Sequence, residues 1–314
     1  MSSNILKSPW PYVALFLAHA IWGANFVVAK VTLQEFPIYS LAFLRFALAV
    51  LLLLPFFIIH SKKAVKIKLK DLPKFVAVGI FMVTLNIALF YIGIEKTTAT
   101  QAATLTLLIP ILAVLAGWWF LKEKVFFVNL LGIGLSLLGG LFIIGLPQIF
   151  LGNFQEQAFL GNVLIILSAI SWVIGAIFSR ELLRNYPSLT VTTVAFTVGI
   201  ITFFVPALLE YLKNPGWPSQ VSALGIMGLL YITLLSSISA YFLFEWGLAK
   251  TSVTIADLFQ YIEPVVAVGV AILVLGELLT FSMVVGIVII ALGVYWGTFA
   301  RTEGVHLHPK THRV

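Results

Sequence analysis

The sequence predicts an all-α integral membrane protein of ten transmembrane helices, arranged as two inverted five-helix repeats. Three observations carry that prediction: an apolar composition, ten apolar runs of bilayer-crossing length, and sparse residue types that recur at fixed offsets. Of the 314 residues, 61% are hydrophobic and only 10% are charged, whereas a soluble domain carries about 25% charged residues to cover its surface. A water-soluble fold is therefore excluded. A helix that crosses a bilayer needs about 20 apolar residues, so the chain has room for about ten with short connections.

The net charge of +7 does not point to a nucleic-acid partner, because the basic residues cluster between apolar runs instead of forming one groove-binding face. Cysteine is absent, which removes disulfides, thiol catalysis and thiolate metal sites. No cofactor and no metal site is expected. His306, Leu307 and His308 form a weak metal-like pattern that reads as part of a solvated tail.

The apolar runs fall at 11–32, 38–60, 72–94, 98–121, 126–146, 159–183, 189–211, 221–246, 253–275 and 281–300. They are helices, because an open sheet leaves backbone groups unpaired in hydrocarbon and the runs are too continuously apolar for barrel strands. Pro37, Pro73, Pro147, Pro187 and Pro218 stand at or near boundaries, where a helix starts without losing a needed N–H. Lys7 and Ala18-His19-Ala20 imitate a signal peptide with its cleavage site. The apolar run continues past them, so this stretch is read as helix 1.

Orientation follows from Lys and Arg in alternate connections. With the N-terminus inside, Lys7, the group from Lys62 to Lys74, Lys122, Lys124, Arg180, Arg184, Lys250, Arg301, Lys310 and Arg313 share one side. Lys30, Lys96 and Lys213 fall on the other. The positive-inside rule then places both termini in the cytoplasm of a protein multi-pass in the cell membrane.

The two halves repeat. Trp22, Lys30 and Pro37 match Trp172, Arg180 and Pro187 at an offset of 150. Gly93, Lys96, Thr100, Ala102, Pro110, Glu123, Gly132 and Gly139 match Gly247, Lys250, Thr254, Ala256, Pro264, Glu277, Gly286 and Gly293 at an offset of 154. Residues 11–146 and 159–300 thus form two five-helix units, followed by a tail at 301–314. Five spans is an odd number, so the second unit enters the membrane inverted. That is the layout of many secondary transporters, whose site lies between the repeats near the midplane.

On these residues the chain resembles the drug/metabolite transporter superfamily, and within it the ten-helix EamA-type carriers, similar to bacterial exporters of amino acids and related metabolites. The motifs are Glu263-Pro264 followed by Ala267, Gly269, Gly276 and Glu277, a first-half echo in Pro110, Gly117 and Glu123, and Trp22-Gly23 with Asn25 and Lys30. The resemblance implies ten helices, cytoplasmic termini and a central cavity lined by helices 1, 3, 4, 6, 8 and 9. The first half departs from the pattern, with Ile109 where the second has Glu263. A role for that carboxylate is therefore not duplicated. Superfamily substrates range over amino acids, other metabolites and drugs, with nucleotide sugars and triose phosphates in distant branches.

Candidate site residues each have a functional and a structural reading. A charge near a helix centre costs roughly 2.5–3.5 kcal/mol on insertion scales, so one that persists there faces a cavity or a partner. Glu263, beside Pro264, binds a substrate cation or a proton, or else braces neighbouring helices at the proline. Arg45, about two turns from one end of helix 2, snorkels to the interface or anchors a carboxylate with its planar fork. His19, Trp22 and Asn25 share one stripe of helix 1, and Ser168, Trp172, Gly175 and Ser179 share the matching stripe of helix 6. The two tryptophans stack on substrate or plug the seam between repeats, and His19 relays a proton or is simply hydrogen-bonded.

Thr97, Gln101 and Thr104 on helix 4 and Asp257 and Gln260 on helix 9 line a path or stitch helices together. Asn86, Ser236 and Ser239 are similar candidates. Substrate contacts are thus expected from His19, Trp22, Asn25, Asn86, Gln101, Trp172, Ser239, Gln260 and Glu263. Glu123 and Glu277 precede helices 5 and 10, whose positive ends they suit. The favoured function is a secondary carrier exporting small metabolites, amino acids with apolar or aromatic side chains foremost. A multidrug carrier of the same superfamily is the alternative, and a membrane-embedded enzyme or a channel is the alternative from another class. An enzyme would need a clustered catalytic set and ATP drive a Gly-rich loop with Lys; the sequence shows neither.

Overall fold

The computed structural model describes residues 9–61, 67–112, 115–116, 127–144, 155–250 and 259–299. Lys7, Lys62, Lys63, Lys66, Gly117, Lys122, Glu123, Lys124, Pro147, Thr254, Ala256, Asp257 and the tail with His306 and His308 lie outside the described residues. The described chain is helical and contains no strand. In chain order it forms α1 (Trp10–Thr32), α2 (Ile38–Ser61), α3 (Leu69–Lys96), α4 (Ala99–Leu112) and α5 (Phe127–Ile144). There follow α6 (Glu156–Leu182), α7 (Ser188–Lys213), α8 (Ala223–Leu230, Tyr231–Ser239 and Ala240–Lys250 in succession), α9 (Ile262–Leu275) and α10 (Phe281–Phe299). Six of these are long and apolar enough to cross a bilayer and four are shorter apolar helices.

Helix starts follow local chemistry. Pro11 and Pro73 sit in first turns, where the missing N–H has no helical partner to lose. Thr98 caps α4 by accepting from the Gln101 N–H, and Ser222 caps α8 by accepting from Leu224 and Gly225. Gly276, at φ 64°, ends α9 in the left-handed conformation that a side chain disfavours.

Two helices are wound differently from the expected uniform spans. α3 is π-helical over Gly79–Leu85 and α8 over Tyr231–Ser239, corresponding positions of the two repeats. Hydroxyls bond carbonyls five residues back within these stretches: Thr84 to Gly79, Ser237 to Ile232 and Ser239 to Leu234. The fourth helix of each repeat is also interrupted just before its proline. In α4 a 3-10 turn, Thr106–Leu108, precedes Pro110, and in the second repeat a turn at Gln260 and Tyr261 precedes α9. Pro264 therefore lies in a first helical turn, not mid-helix as its place in the apolar run suggests.

Contacts between helices exchange under the repeat correspondence. α1 packs on α8 as α6 packs on α3, and α2·α7, α4·α9 and α5·α10 are pairs of repeat mates. Glycines set the closest approaches. A Cβ on Gly139 would meet the Gly286 carbonyl oxygen at 2.7 Å, and one on Gly293 would meet that of Gly132 at 2.6 Å. These two contacts are mates of one another, and they seat α5 against α10 backbone to backbone.

Gly139→Leu is expected to force this seam apart and destabilise the fold by about 1–3 kcal/mol, the usual cost of overpacking. Gly134→Leu is the control, because a Cβ there meets nothing within 4 Å. Thermal unfolding in detergent should show a lower midpoint for Gly139→Leu only; equal midpoints for both variants refute the seam.

Candidate functional site

The centre of the bundle holds a hydrogen-bonded acid–base pair drawn from both repeats. His19, midway along α1, places Nδ1 2.8 Å from Oε1 of Glu263 in the first turn of α9. The two are 4% and 8% exposed. Close approach of α1 to α9 makes this possible, because Gly23 faces the α9 backbone, where a Cβ would come 2.6 Å from the Glu263 carbonyl oxygen. The first turn of α9 also offers its positive dipole end to the carboxylate. An ionised Glu263 accepts at Oε1 from the N–H at Nδ1. Among the described residues Nε2 is buried and has no hydrogen-bond partner.

Aromatic rings wall the pair. His19 meets Trp22 and Phe244 edge-on at centroid distances of 5.4 and 5.7 Å. Trp22 in turn contacts Tyr241 at 5.4 Å, and Trp172 reaches the same tyrosine at 6.3 Å. The Trp22 indole N–H donates to the Ser236 carbonyl at 3.0 Å, a backbone group of the π-helical stretch. Asn25 Oδ1 and Ser236 Oγ are further buried polar atoms that find no partner among the described residues. His19, Trp22 and Glu263 are thus brought together, with Trp172 joined to them through Tyr241.

Other sequence candidates lie elsewhere. Asn86 is locked to Ser168, its Nδ2 donating to the Ser168 carbonyl and hydroxyl while that hydroxyl lies 3.0 Å from the Asn86 carbonyl, a zipper between α3 and α6. Gln101 Oε1 lies 2.7 Å from the Thr97 hydroxyl near the start of α4. Ser239 spends its hydroxyl on Leu234, and Gln260 forms the turn whose carbonyl accepts the Glu263 N–H.

Arg45 does not snorkel. It is 5% exposed, its Nε donating to Ser237 Oγ at 2.7 Å and its Nη1 to the Tyr91 hydroxyl at 3.3 Å, with the guanidinium 5.2 Å from the Phe46 ring centre. Hydroxyl partners inside the bundle hold the head group there instead of letting it reach the interface.

One end of the bundle is knit by carboxylates that sequence reasoning missed or misplaced. Glu277 accepts from the N–H groups of Ala99 and Thr100, capping α4 of the other repeat and not the α10 that follows it. Glu210 caps α2 through Tyr39 and Ser40, and Glu35 bonds the backbone and hydroxyl of Ser222 at the start of α8. Lys30 donates to the Ile94 and Thr97 carbonyls at the same end. A helix start needs acceptors for its free N–H groups, but sequence alone does not say which distant carboxylate supplies them. At the opposite end Tyr186 donates to Asp71, and Lys74 pairs with Glu181 at 2.5 Å. A small cleft of about 40 Å³ lies nearer this Asp71 end, between α3, α6, α7 and Tyr241.

A double-mutant cycle over His19→Gln and Glu263→Gln should return a coupling energy of about 1.5–3 kcal/mol in unfolding, the range for a hydrogen bond to a charged group. Additive single effects would show that the two side chains do not act as a pair.

The comparisons with known proteins agree on what kind of molecule this is. The chain is 29% identical over 291 residues to an uncharacterized transporter of Archaeoglobus fulgidus, covering 91% of this chain and 96% of that one. It is 27% identical to a probable amino-acid metabolite efflux pump of Salmonella typhimurium (92% and 94% covered) and to another of Escherichia coli (91% and 94%). A crystal structure sharing 16% identity superposes with a TM-score of 0.61, over 93% of this chain and 98% of that chain, and so shares the fold. The model of the EamA-like transporter family matches twice, at residues 9–145 and 159–299. The chain therefore belongs to the EamA-like transporter family and is a multi-pass membrane transporter.

Proposed function

We propose that the protein exports small amphipathic metabolites, amino acids with apolar or aromatic side chains foremost, by alternating access between its two repeats. The observation that carries this reading is the buried His19–Glu263 pair beside the rings of Trp22, Tyr241 and Phe244. A few polar groups set into an aromatic wall are what a small-ligand site requires. The side chain of an amino acid would stack on the rings, and its ammonium group would meet the free acceptor at His19 Nε2 and the Glu263 carboxylate. The names carried by the Salmonella and Escherichia relatives point the same way. A phosphorylated substrate fits less well, because it calls for several free cations at depth. Among the described Lys and Arg residues Arg45 alone is deeply buried, and Lys30 is already engaged by two carbonyls.

Both termini and the Asp71 end are placed in the cytoplasm, on the Lys and Arg asymmetry of the sequence. In that orientation the Glu277 end faces outward, and the cleft lies nearer the cytoplasmic end.

Topology is checked with single cysteines in this cysteine-free chain. An impermeant maleimide on intact cells should label Gln155→Cys and spare Ser61→Cys, and the reverse pattern overturns the orientation. Transport is tested by counterflow of radiolabelled neutral and aromatic amino acids in liposomes. Saturable exchange is expected, weakened at least tenfold in Trp22→Ala. Glu263→Gln should impair transport, or alter its dependence on pH between about 5 and 8, more than it impairs folding. Uptake of a cationic drug or a phosphorylated metabolite, with every amino acid inert, removes the substrate assignment and leaves the carrier standing.

A further inference from the structure

Tyr241 on α8 stands where the two repeats meet. Its ring is set edge-on against Trp22 at a centroid distance of 5.4 Å and against Trp172 at 6.3 Å, and those two tryptophans are repeat mates. Phe196 meets the same ring edge-on at 5.8 Å. Neighbours on three helices, α1, α6 and α7, thus hold the tyrosine ring in place by aromatic packing.

The same side chain borders two cavities. It stands in the wall of the cleft of about 40 Å³, and a second cavity of about 10 Å³, between α2, α7 and α8, shares Tyr241 and Thr192 with that cleft. Ser179 in the last turn of α6 and Val191 and Thr192 near the start of α7 set the cleft on the Asp71 side of the bundle centre. On the far side of Tyr241 come Trp22 and then His19, whose rings meet at 5.4 Å. The order cleft, Tyr241, Trp22, His19 makes Tyr241 the partition between the cleft and the His19–Glu263 pair.

Volume bears on what that partition admits. One water takes about 10–15 Å³ of such space, so the 40 Å³ cleft takes about three water-sized groups. That is the size of a branched aliphatic side chain and well short of an indole. The walls are apolar and packed, with Val78, Val83, Val191, Ala195 and Phe196 each 4% exposed or less, so they do not yield cheaply. Tyr241 is half-buried. Its repeat mate, at the offset of 154, is Ile87, so one half sets a ring where the other sets an aliphatic side chain.

We propose that Tyr241 is the specificity-determining residue of the carrier: its ring separates the cleft from the His19–Glu263 pair and holds back apolar side chains larger than branched aliphatic ones. The inference rests on the amino-acid reading above and narrows it, favouring valine, leucine and isoleucine over tryptophan. Cargo passes when the ring is displaced, and a larger side chain costs more of the contacts with Trp22, Trp172 and Phe196. One methylene more or less in an apolar pocket is worth about 10–200-fold, so a ring in the way suffices for strong discrimination.

The test is counterflow of radiolabelled L-valine and L-tryptophan in competition, in liposomes carrying the parent or a variant. The parent should prefer valine by about tenfold or more. Tyr241→Phe, which keeps the ring, should keep that preference, whereas Tyr241→Ile and Tyr241→Ala should reduce it severalfold. Ile87→Ala, a truncation at the repeat mate, should leave it unchanged. A ratio between two cargoes is not moved by a loss of folded protein, and Tyr241→Ile, which installs the mate's own residue, serves where Tyr241→Ala does not fold. The selector is overturned if the parent prefers tryptophan, if Tyr241→Ile keeps the parent ratio, or if Tyr241→Phe or Ile87→Ala lowers it equally. If no amino acid exchanges, that reading falls by itself, and the partition is decided without cargo. Ser236→Cys, at the residue whose carbonyl takes the Trp22 indole N–H, is then treated with a charged methanethiosulfonate in vesicles of the orientation that exposes Ser61→Cys. Faster reaction with Tyr241→Ile than with Tyr241→Phe supports the partition, and equal rates overturn it.

Discussion

Inside a bilayer nothing outside the protein can satisfy a polar group, and apolar surface gains nothing by leaving lipid for another helix. Both facts follow from the solvent being hydrocarbon. The architecture depends on that double constraint. Attraction between helices must come from close van der Waals approach, which is why α5 meets α10 at the Gly139–Gly286 and Gly132–Gly293 crossings and α1 meets α9 at Gly23. Polar groups must find partners within the bundle, so Asn86 zips to Ser168 and hydroxyls in the π-helical stretches turn back on their own helices. At the Glu277 end, helix N-termini take carboxylates from other elements, which ties the two repeats together there.

The same constraint decides what was legible in the sequence. A span of about 20 apolar residues is imposed by membrane thickness, so the ten runs and their repeat offsets mark the helices directly. How a helix is wound is not imposed in that way. An apolar run looks the same whether its backbone bonds reach back four residues or five, and the windings at Gly79–Leu85 and Tyr231–Ser239 carry no separate compositional mark. The break at Gln260 and Tyr261 is hidden likewise inside one continuous run.

The site was visible residue by residue and not as an arrangement. His19 and Glu263 each stand out as ionisable groups at depth, but a pair 244 positions apart is formed by the packing of α1 on α9, which no local pattern encodes. Arg45 illustrates the opposite error. Its position near a helix end suggests a side chain reaching for the interface, yet the hydroxyls of Ser237 and Tyr91, remote in sequence, turn it inward. Depth in a run constrains cost, whereas partners fix direction.

Where the repeats agree they build the scaffold, and where they differ they set different charges at equivalent positions. Glycines, prolines and the π-helical stretches recur in both halves, while Glu263 faces Ile109 across the correspondence, Arg45 faces Ala195, and bonded Lys30 faces exposed Arg180. An exchange of conformations between halves requires two states within a few kcal/mol of each other. Near-identical scaffolds satisfy that requirement, because each half can adopt the packing of the other with little change in buried area. The contacts that must break in such an exchange include the carboxylate caps and Lys30 bonds at the Glu277 end, each of modest worth where water can replace it. The glycine seam of α5 and α10 joins repeat mates about their shared correspondence, so it can persist in both states. A substrate then biases the equilibrium only through groups presented differently to it in the two states, and the positions at which the halves differ in charge are the ones able to do so.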